Sequence, residues 1–240
     1  VVVASAVKKD ANTGKYTVSE DAEIADAAKN ENINWTDGVY VLYTVSGYDI
    51  GRDDVSFSND NLDSISAVVG EDKNNTVQVL YHVTTEGKYQ ISVTGKKRTA
   101  TDFDTKNAVL AKFIYDKTAP SLKIESTAKN KVLDPVAAED KTYDVDDMEA
   151  LTITVSDETS GIASAKVNDQ KLNIDKDGKA TVELNKAGKH ELNFAITDKA
   201  GNETTRELTV NVVSVALTAK ISIASKVDRK DEKSEYVISD

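Results

Sequence analysis

Cysteine is absent from this 240-residue chain, and that one absence removes a disulfide scaffold, a thiolate metal site and a cysteine nucleophile together. Histidine is nearly absent too: His82 and His190 have no partner at i+4 and no nucleophile signature such as G-x-S-x-G nearby, so neither a catalytic triad nor a histidine metal site can be assembled. No segment approaches the ~18 uninterrupted apolar residues of a spanning helix, so no membrane insertion is expected. No basic-then-apolar leader opens the chain, so any targeting signal is expected either to have been removed or never to have been included in this sequence. Basic residues are the minority charge, 30 Lys and Arg against 41 Asp and Glu, for a net −11. A nucleic-acid partner needs a basic field, so none is expected. Carboxylate pairs abound, yet no pocket-forming insertion breaks the rhythm of short segments, and no enzyme activity is expected.

What is present is alternation. Leu122 and Ile124, then Leu151, Ile153 and Val155, then Ala165 and Val167 each skip one polar position. Leu172 and Ile174, then Ala180, Val182 and Leu184, then Leu192, Phe194 and Ile196, then Leu208, Val210 and Val212 do the same. A period of two buries one face of a strand and wets the other. Seven such strands in about 95 residues, with turn signals between them, predict a two-sheet sandwich. Asp177-Gly178 is expected to make a tight hairpin between Ile174 and Ala180.

The first half repeats this plan. Val39, Val41 and Val45 precede Ser46-Gly47 much as Leu151, Ile153 and Val155 precede Ser156-Asp157, and Glu86-Gly87-Lys88-Tyr89 matches Ala187-Gly188-Lys189-His190. An offset of about a hundred residues means tandem units of one type rather than a solenoid. The predicted division is residues 1–116 for a first unit with an N-terminal extension, 117–213 for a second, and 214–240 for the start of a further unit or an added strand. In the extension, Val1 to Val7 and Tyr16 to Ser19 flank Asn12-Thr13-Gly14 as a hairpin, and Ala22 to Lys29 read as two turns of helix after Ser19 as cap. Pro120 sets φ where a strand begins, which predicts a short, stiff joint.

Tyr115-Asp116-Lys117-Thr118-Ala119-Pro120, Val155-Ser156-Asp157-Glu158-Thr159-Ser160-Gly161-Ile162, Ala187-Gly188-Lys189-His190 and Thr197-Asp198-Lys199-Ala200-Gly201-Asn202 together resemble bacterial immunoglobulin-like repeats. Such repeats occur in large surface proteins and adhesins, mainly of Gram-positive bacteria. The motifs cover residues 115–213 well and 33–114 in part; residues 1–32 match nothing in that family. The resemblance implies an all-β protein of tandem immunoglobulin-like β-sandwiches, an extracellular position on the cell surface or in secretion, and a structural or adhesive role as spacer or stalk. Neighbouring repeats of the same protein are its implied partners. Rival expectations are a carbohydrate- or host-ligand-binding module with its site in the first unit, and an accessory part of a secreted enzyme.

In such a sandwich the loops after the second and sixth strands share one end with the incoming linker. Asp116, Asp157, Glu158, Asp198 and Asn202 are therefore candidate Ca²⁺ ligands, because calcium takes ~6–8 hard oxygens. The competing reading is that Asp and Asn are turn residues whose side chains bond their own backbone. In the first unit the sixth-strand loop is read as Gly95-Lys96-Lys97-Arg98, whose cations would pair with Asp49, Asp53 and Asp54. Trp35, Tyr40, Tyr43, Tyr48, Phe57, Tyr81, Tyr89 and Phe103 crowd the first unit. Most hold strand positions suited to packing. Trp35, just before Asp37-Gly38, is the candidate ligand-binding residue, since rings stack on sugar faces. An intramolecular Lys–Asn amide bond is not expected, because Lys123 and Asn211 both alternate outward. Charge is spread along the chain: 13 basic against 18 acidic residues in 1–119, 12 against 18 in 120–213, and 5 against 5 beyond, giving −5, −6 and 0.

Overall fold

The computed structural model describes residues 1–46, 55–59, 65–71, 76–98, 103–127, 131–133, 142–146 and 150–213. Among them there is no helix. The strands of the first half are β1 (Val2–Ala4), β2 (Val7–Lys9), β3 (Tyr16–Val18), β4 (Ile24–Ala25), β5 (Glu31–Ile33), β6 (Val39–Ser46), β7 (Val55–Asn59), β8 (Ile65–Glu71), β9 (Thr76–Val83), β10 (Gly87–Arg98) and β11 (Phe103–Tyr115). Those of the second half are β12 (Ser121–Ser126), β13 (Lys131–Val132), β14 (Thr142–Asp146), β15 (Ala150–Ser156), β16 (Ile162–Val167), β17 (Gln170–Lys171), β18 (Lys179–Glu183), β19 (Gly188–Asp198) and β20 (Glu203–Val213).

The two halves are wired alike except at one edge, where β8 pairs with β9 but β17 pairs with β16. In the first half a sheet ordered β4-β1-β6-β9-β8 lies over one ordered β5-β11-β10-β7. In the second half β13-β12-β15-β18 lies over β14-β20-β19-β16-β17. Each half opens with a strand that pairs antiparallel in one sheet, β1 on β6 and β12 on β15. The chain then crosses to the other sheet as a short strand running parallel to the half's last strand, β5 on β11 and β14 on β20. This sharing of the first strand between two sheets, with otherwise antiparallel order, is an immunoglobulin-like sandwich.

Alternation explains the two cores. In β15, Leu151, Ile153 and Val155 are buried while Ser156 is exposed. They meet Phe194, Ile196 and Val210 from the opposing sheet in one apolar cluster. A separate cluster in the first half joins Val39, Val41 and Tyr81 to Ile91, Phe113 and Tyr115. Aromatic residues do enter the first core: Tyr81, Tyr89, Phe113 and Tyr115 are all buried, and burial pushes the Tyr81 phenol well above its ordinary pKa.

Four expectations are corrected. Residues 22–29 form no helix; Ile24–Ala25 instead pairs with β1, which places Ala25 in the core. Strand pairing with a buried side chain outweighs a weak helical propensity over so few residues. Ile174 is not in a strand, because β17 ends at Lys171 and the backbone bonds of Asp175 to Lys179 start a turn. Gly178 therefore does not close a two-stranded hairpin, since β17 and β18 belong to different sheets. Gly95-Lys96-Lys97-Arg98 is not a loop, as all four residues belong to β10 and pair with β11. Asp49, Asp53 and Asp54, Tyr48 and residues 214–240 lie outside the described residues. Lys123 and Asn211 do point away from the core, towards Glu125 and Asp144 respectively.

Candidate functional site

The end of β11 runs straight into the second sandwich, and the five residues between Tyr115 and Ser121 are held on every side. Asp116 N–H donates to Ile33 O at 2.8 Å, continuing the parallel β5–β11 ladder beyond its last pair. Lys117 N–H and the Thr118 hydroxyl both donate to the Glu86 carboxylate, each at 2.9 Å. Glu86 sits in the β9–β10 loop, so the first half grips the linker through a side chain as well as through its ladder. From the second half, Asn202 Nδ2 donates to Asp116 O at 3.0 Å and Thr204 Oγ1 donates to Pro120 O at 2.6 Å. A methyl placed on Gly201 would lie 3.6 Å from Asn34 Nδ2, so the β19–β20 loop also abuts the β5–β6 loop.

Three carboxylates converge inside this joint. One oxygen from each of Asp116, Asp157 and Asp198 lies within 4.8 Å of the others. Asp116 is 0% exposed and Asp198 1%. Local chemistry explains each. Asp116 accepts from Thr118 N–H and from Ser160 N–H, 3.1 and 3.0 Å away. Asp157 Oδ1 accepts from Ser160 N–H and Gly161 N–H, the pattern by which an aspartate closes its own turn. Asp198 accepts from the main chain and the side chain of Asn202, at 2.9 and 2.8 Å. No salt bridge among the described residues ends on any of the three. Backbone N–H groups, the Ser160 hydroxyl and one amide therefore satisfy these carboxylates in a water-poor place.

Of the five candidate calcium ligands, the structure gathers three as carboxylates. Asn202 joins them as a donor, both of its amide hydrogens being committed to oxygens. Glu158 is exposed and stays outside the group. The donor set suits a hard cation in kind, and Asp157 Oδ2 has no donor among the described residues. It falls short of calcium's ~6–8 oxygens unless further oxygens join. Ser160 and Glu86 were not singled out from the sequence. The Ser160-Gly161 pair after Asp157 was a visible signal for the first, whereas Glu86 reads as an ordinary loop acid until the linker is seen to cross it.

Trp35 lies at the same end of the first half. Its indole N–H donates to Glu23 at 2.9 Å, its carbonyl accepts from Tyr115 O–H at 3.0 Å, and its half-buried ring lies against the first core. Trp35→Ala is expected to lower the unfolding free energy by about 2 kcal/mol, less than for a fully buried tryptophan, as read from urea melts followed by circular dichroism. Tyr40 and His82 stack at 4.1 Å, and His82 Nε2 bonds Asp37 O at 2.8 Å; His190 Nε2 bonds Lys186 O at 2.7 Å. Both imidazoles tie loops to main chain.

No protein-family model matches the chain. No curated protein matches it either. Among solved structures, it is similar to extracellular cadherin domains 1–4 of protocadherin gamma B7, with 11% identity, a TM-score of 0.34, 83% of this chain and 56% of that chain covered. The tandem Ig repeats of Dlar give 12% identity and a TM-score of 0.25 over 78% of this chain and 94% of that one. A third is SGBP-B of the Bacteroides ovatus mixed-linkage glucan utilization locus, in complex with a heptasaccharide, at 12% identity and a TM-score of 0.21 over 84% of this chain and 50% of that one. The chain thus spans about half the length of the protocadherin and glucan-locus chains. Likeness this distant carries neither ligand nor activity.

Proposed function

We propose that the chain is a non-catalytic, extracellular immunoglobulin-like repeat segment of a bacterial surface protein, working as a spacer or adhesive stalk. The observation that carries this reading is the joint: the wholly buried Asp116 is bonded by main chain to β5 and by carboxylate and carbonyl to two loops of the second sandwich. A joint clamped from both sides transmits orientation, which is what a stalk needs and what a flexible tether between independent binding modules lacks. Spread negative charge suits dense display, because like-charged neighbours repel. In this reading the two halves tumble as one body. The test is ¹⁵N relaxation: a single correlation time for β6 and β15 amides supports the proposal, and two independent times would sink it.

A second reading concerns Ca²⁺, and the Asp116, Asp157 and Asp198 group, two of its members buried and one half-buried, with no salt bridge to it among the described residues, favours that ion. Those three residues would hold it, and it would supply the countercharge that main-chain N–H groups now supply in part. With affinity in the ~0.1–1 mM range of extracellular sites, about 10 mM calcium should raise stability by about 1.5–3 kcal/mol. Thermal melts of wild type and Asp198→Asn with calcium or magnesium decide it. A rise confined to wild type with calcium is the expected result; identical melts in all conditions leave the three acids as turn formers only.

A further inference from the structure

The outer face of the β4-β1-β6-β9-β8 sheet is apolar where an open face would be polar. Val41 and Val79 turn into the first core, so by alternation Leu42 and Leu80, directly paired across β6 and β9, turn outward. Ala4 turns the same way from β1. Yet Leu42, Leu80 and Ala4 are only 7, 6 and 1% exposed. The β2–β3 hairpin is bonded to that face through Tyr16. Gln78, two residues before Leu80 and on the same face, accepts from Tyr16 N–H at 2.8 Å and donates to Tyr16 O at 3.0 Å. The Gln78 amide thereby imitates the strand partner that β3 lacks on that side. Thr44 on β6 receives a further bond from it at 3.3 Å and holds it upright.

The hairpin itself is small. β2 and β3 are three residues each and form a two-stranded sheet of their own. Lys8, Lys9 and Thr17 are exposed, and the Lys8–Glu20 ion pair is external and closes within the hairpin's own arms. Within the two strands Val7, Tyr16 and Val18 are half-buried and none is fully buried. The turn is stabilised internally, by Asp10 Oδ1 accepting from Asn12 N–H and Thr13 N–H, so it can move as a preformed piece. At its base Ser19 N–H donates to Ala6 O and Ser5 N–H to Glu23 O, where the chain turns from the sheet edge onto its face.

We propose that the β2–β3 hairpin is a strap latched by Gln78, which lifts as a unit from the folded first sandwich and uncovers the Leu42–Leu80 strip. Small, sparsely bonded elements open locally at a fraction of the global unfolding free energy. The absence of cysteine makes the test clean, because Leu80→Cys carries the only thiol. Labelling of that thiol by a disulfide reagent should be faster than global unfolding and nearly independent of low urea. Adding Gln78→Ala, which removes two bonds to Tyr16, should accelerate it about tenfold, while amide exchange of Val41 and Val79 stays unchanged. Gln78→Glu, which keeps the size but loses the donor, should fall between. Labelling that proceeds only at the rate of global unfolding in the single Leu80→Cys variant overturns the proposal, as does equal acceleration of the thiol and the core amides by Gln78→Ala. Hairpin fraying without lifting would leave the thiol unreactive and is also a negative result.

Discussion

Asp116→Ala is expected to lower the stability of the second sandwich by about 2–4 kcal/mol and to let the two halves reorient independently. The magnitude follows from what the carboxylate accepts. Thr118 N–H loses its acceptor, and Ser160 N–H keeps only Asp157 Oδ1. Charge-assisted bonds to buried donors contribute about 1.5–3 kcal/mol each, and an orphaned buried N–H costs more than a symmetric loss. Opposing this, removing one of three crowded carboxylates relieves repulsion, so the loss falls below the sum of the bonds. Small-angle scattering should show a broader distribution of maximum dimensions, and the single correlation time should split in two. Glu86→Ala is the calibrating variant: it removes the first half's side-chain grip on the linker and leaves the Asp116–Ile33 ladder bond, so orientation loosens while the melt of the second sandwich stays within about 0.5 kcal/mol. If Asp116→Ala keeps one rigid body, orientation is set elsewhere, and the clamp is incidental.

Asp116→Asn separates the two sources of cost in that estimate. The asparagine oxygen can still accept from Thr118 N–H, but its NH₂ would face the Ser160 N–H that now donates to Asp116 Oδ2. If repulsion among the acids dominates, the variant is neutral or stabilised; if the acceptor role dominates, it loses nearly as much as alanine.

Three of the four stretches by which the chain resembles a repeat family, those at 115–120, 155–162 and 197–202, prove to touch one another. Their aspartates and asparagine were legible as a cluster because strand order alone brings alternate loops of a sandwich to one end. What the sequence could not display was direction. Asn202 has the composition of a ligand and acts as a donor, and Glu158 beside Asp157 is equally acidic yet points to solvent. The sandwich strands were legible wherever one face is buried and the other wet, as in β15. They were missed where that contrast fails: β14 is five residues of Thr-Tyr-Asp-Val-Asp held by a parallel neighbour distant in sequence, and β17 is two exposed residues. Residues 22–29 misled for a related reason. Alanine and acidic residues favour helix locally, but a core one layer away gives Ala25 more than a short helix could.

Gly178→Ala should be among the most damaging single-methyl changes available to this chain, at about 3–5 kcal/mol in urea unfolding. Gly178 has φ +76°, and a Cβ there would sit 2.3 Å from the carbonyl oxygen of Val155, in the middle of a sheet. The obstacle is main chain and cannot rotate aside. Relief requires pulling the 175–179 turn off β15, which breaks the 2.8 Å bond from Val155 N–H to Gly178 O. Left-handed backbone for an L-residue costs about 1–2 kcal/mol, the lost bond about 1, and overpacking about 1–3. Gly14→Ala isolates the first of these: its φ is +71° with nothing within 4 Å of the new methyl, so it should cost only about 1 kcal/mol. Equal losses for the two variants would show that the Val155 contact yields easily. Gly38 offers a replicate in the other sandwich, its Cβ falling 2.5 Å from Val83 O. Acid should act on the same turn. The Lys179 N–H donating to Asp175 holds that carboxyl below its ordinary pKa, so its contribution is complete above the unfolded value near ~3.9 and is lost as pH falls further. Amide exchange at Lys179 should therefore accelerate, beyond its intrinsic pH dependence, only below about pH 4.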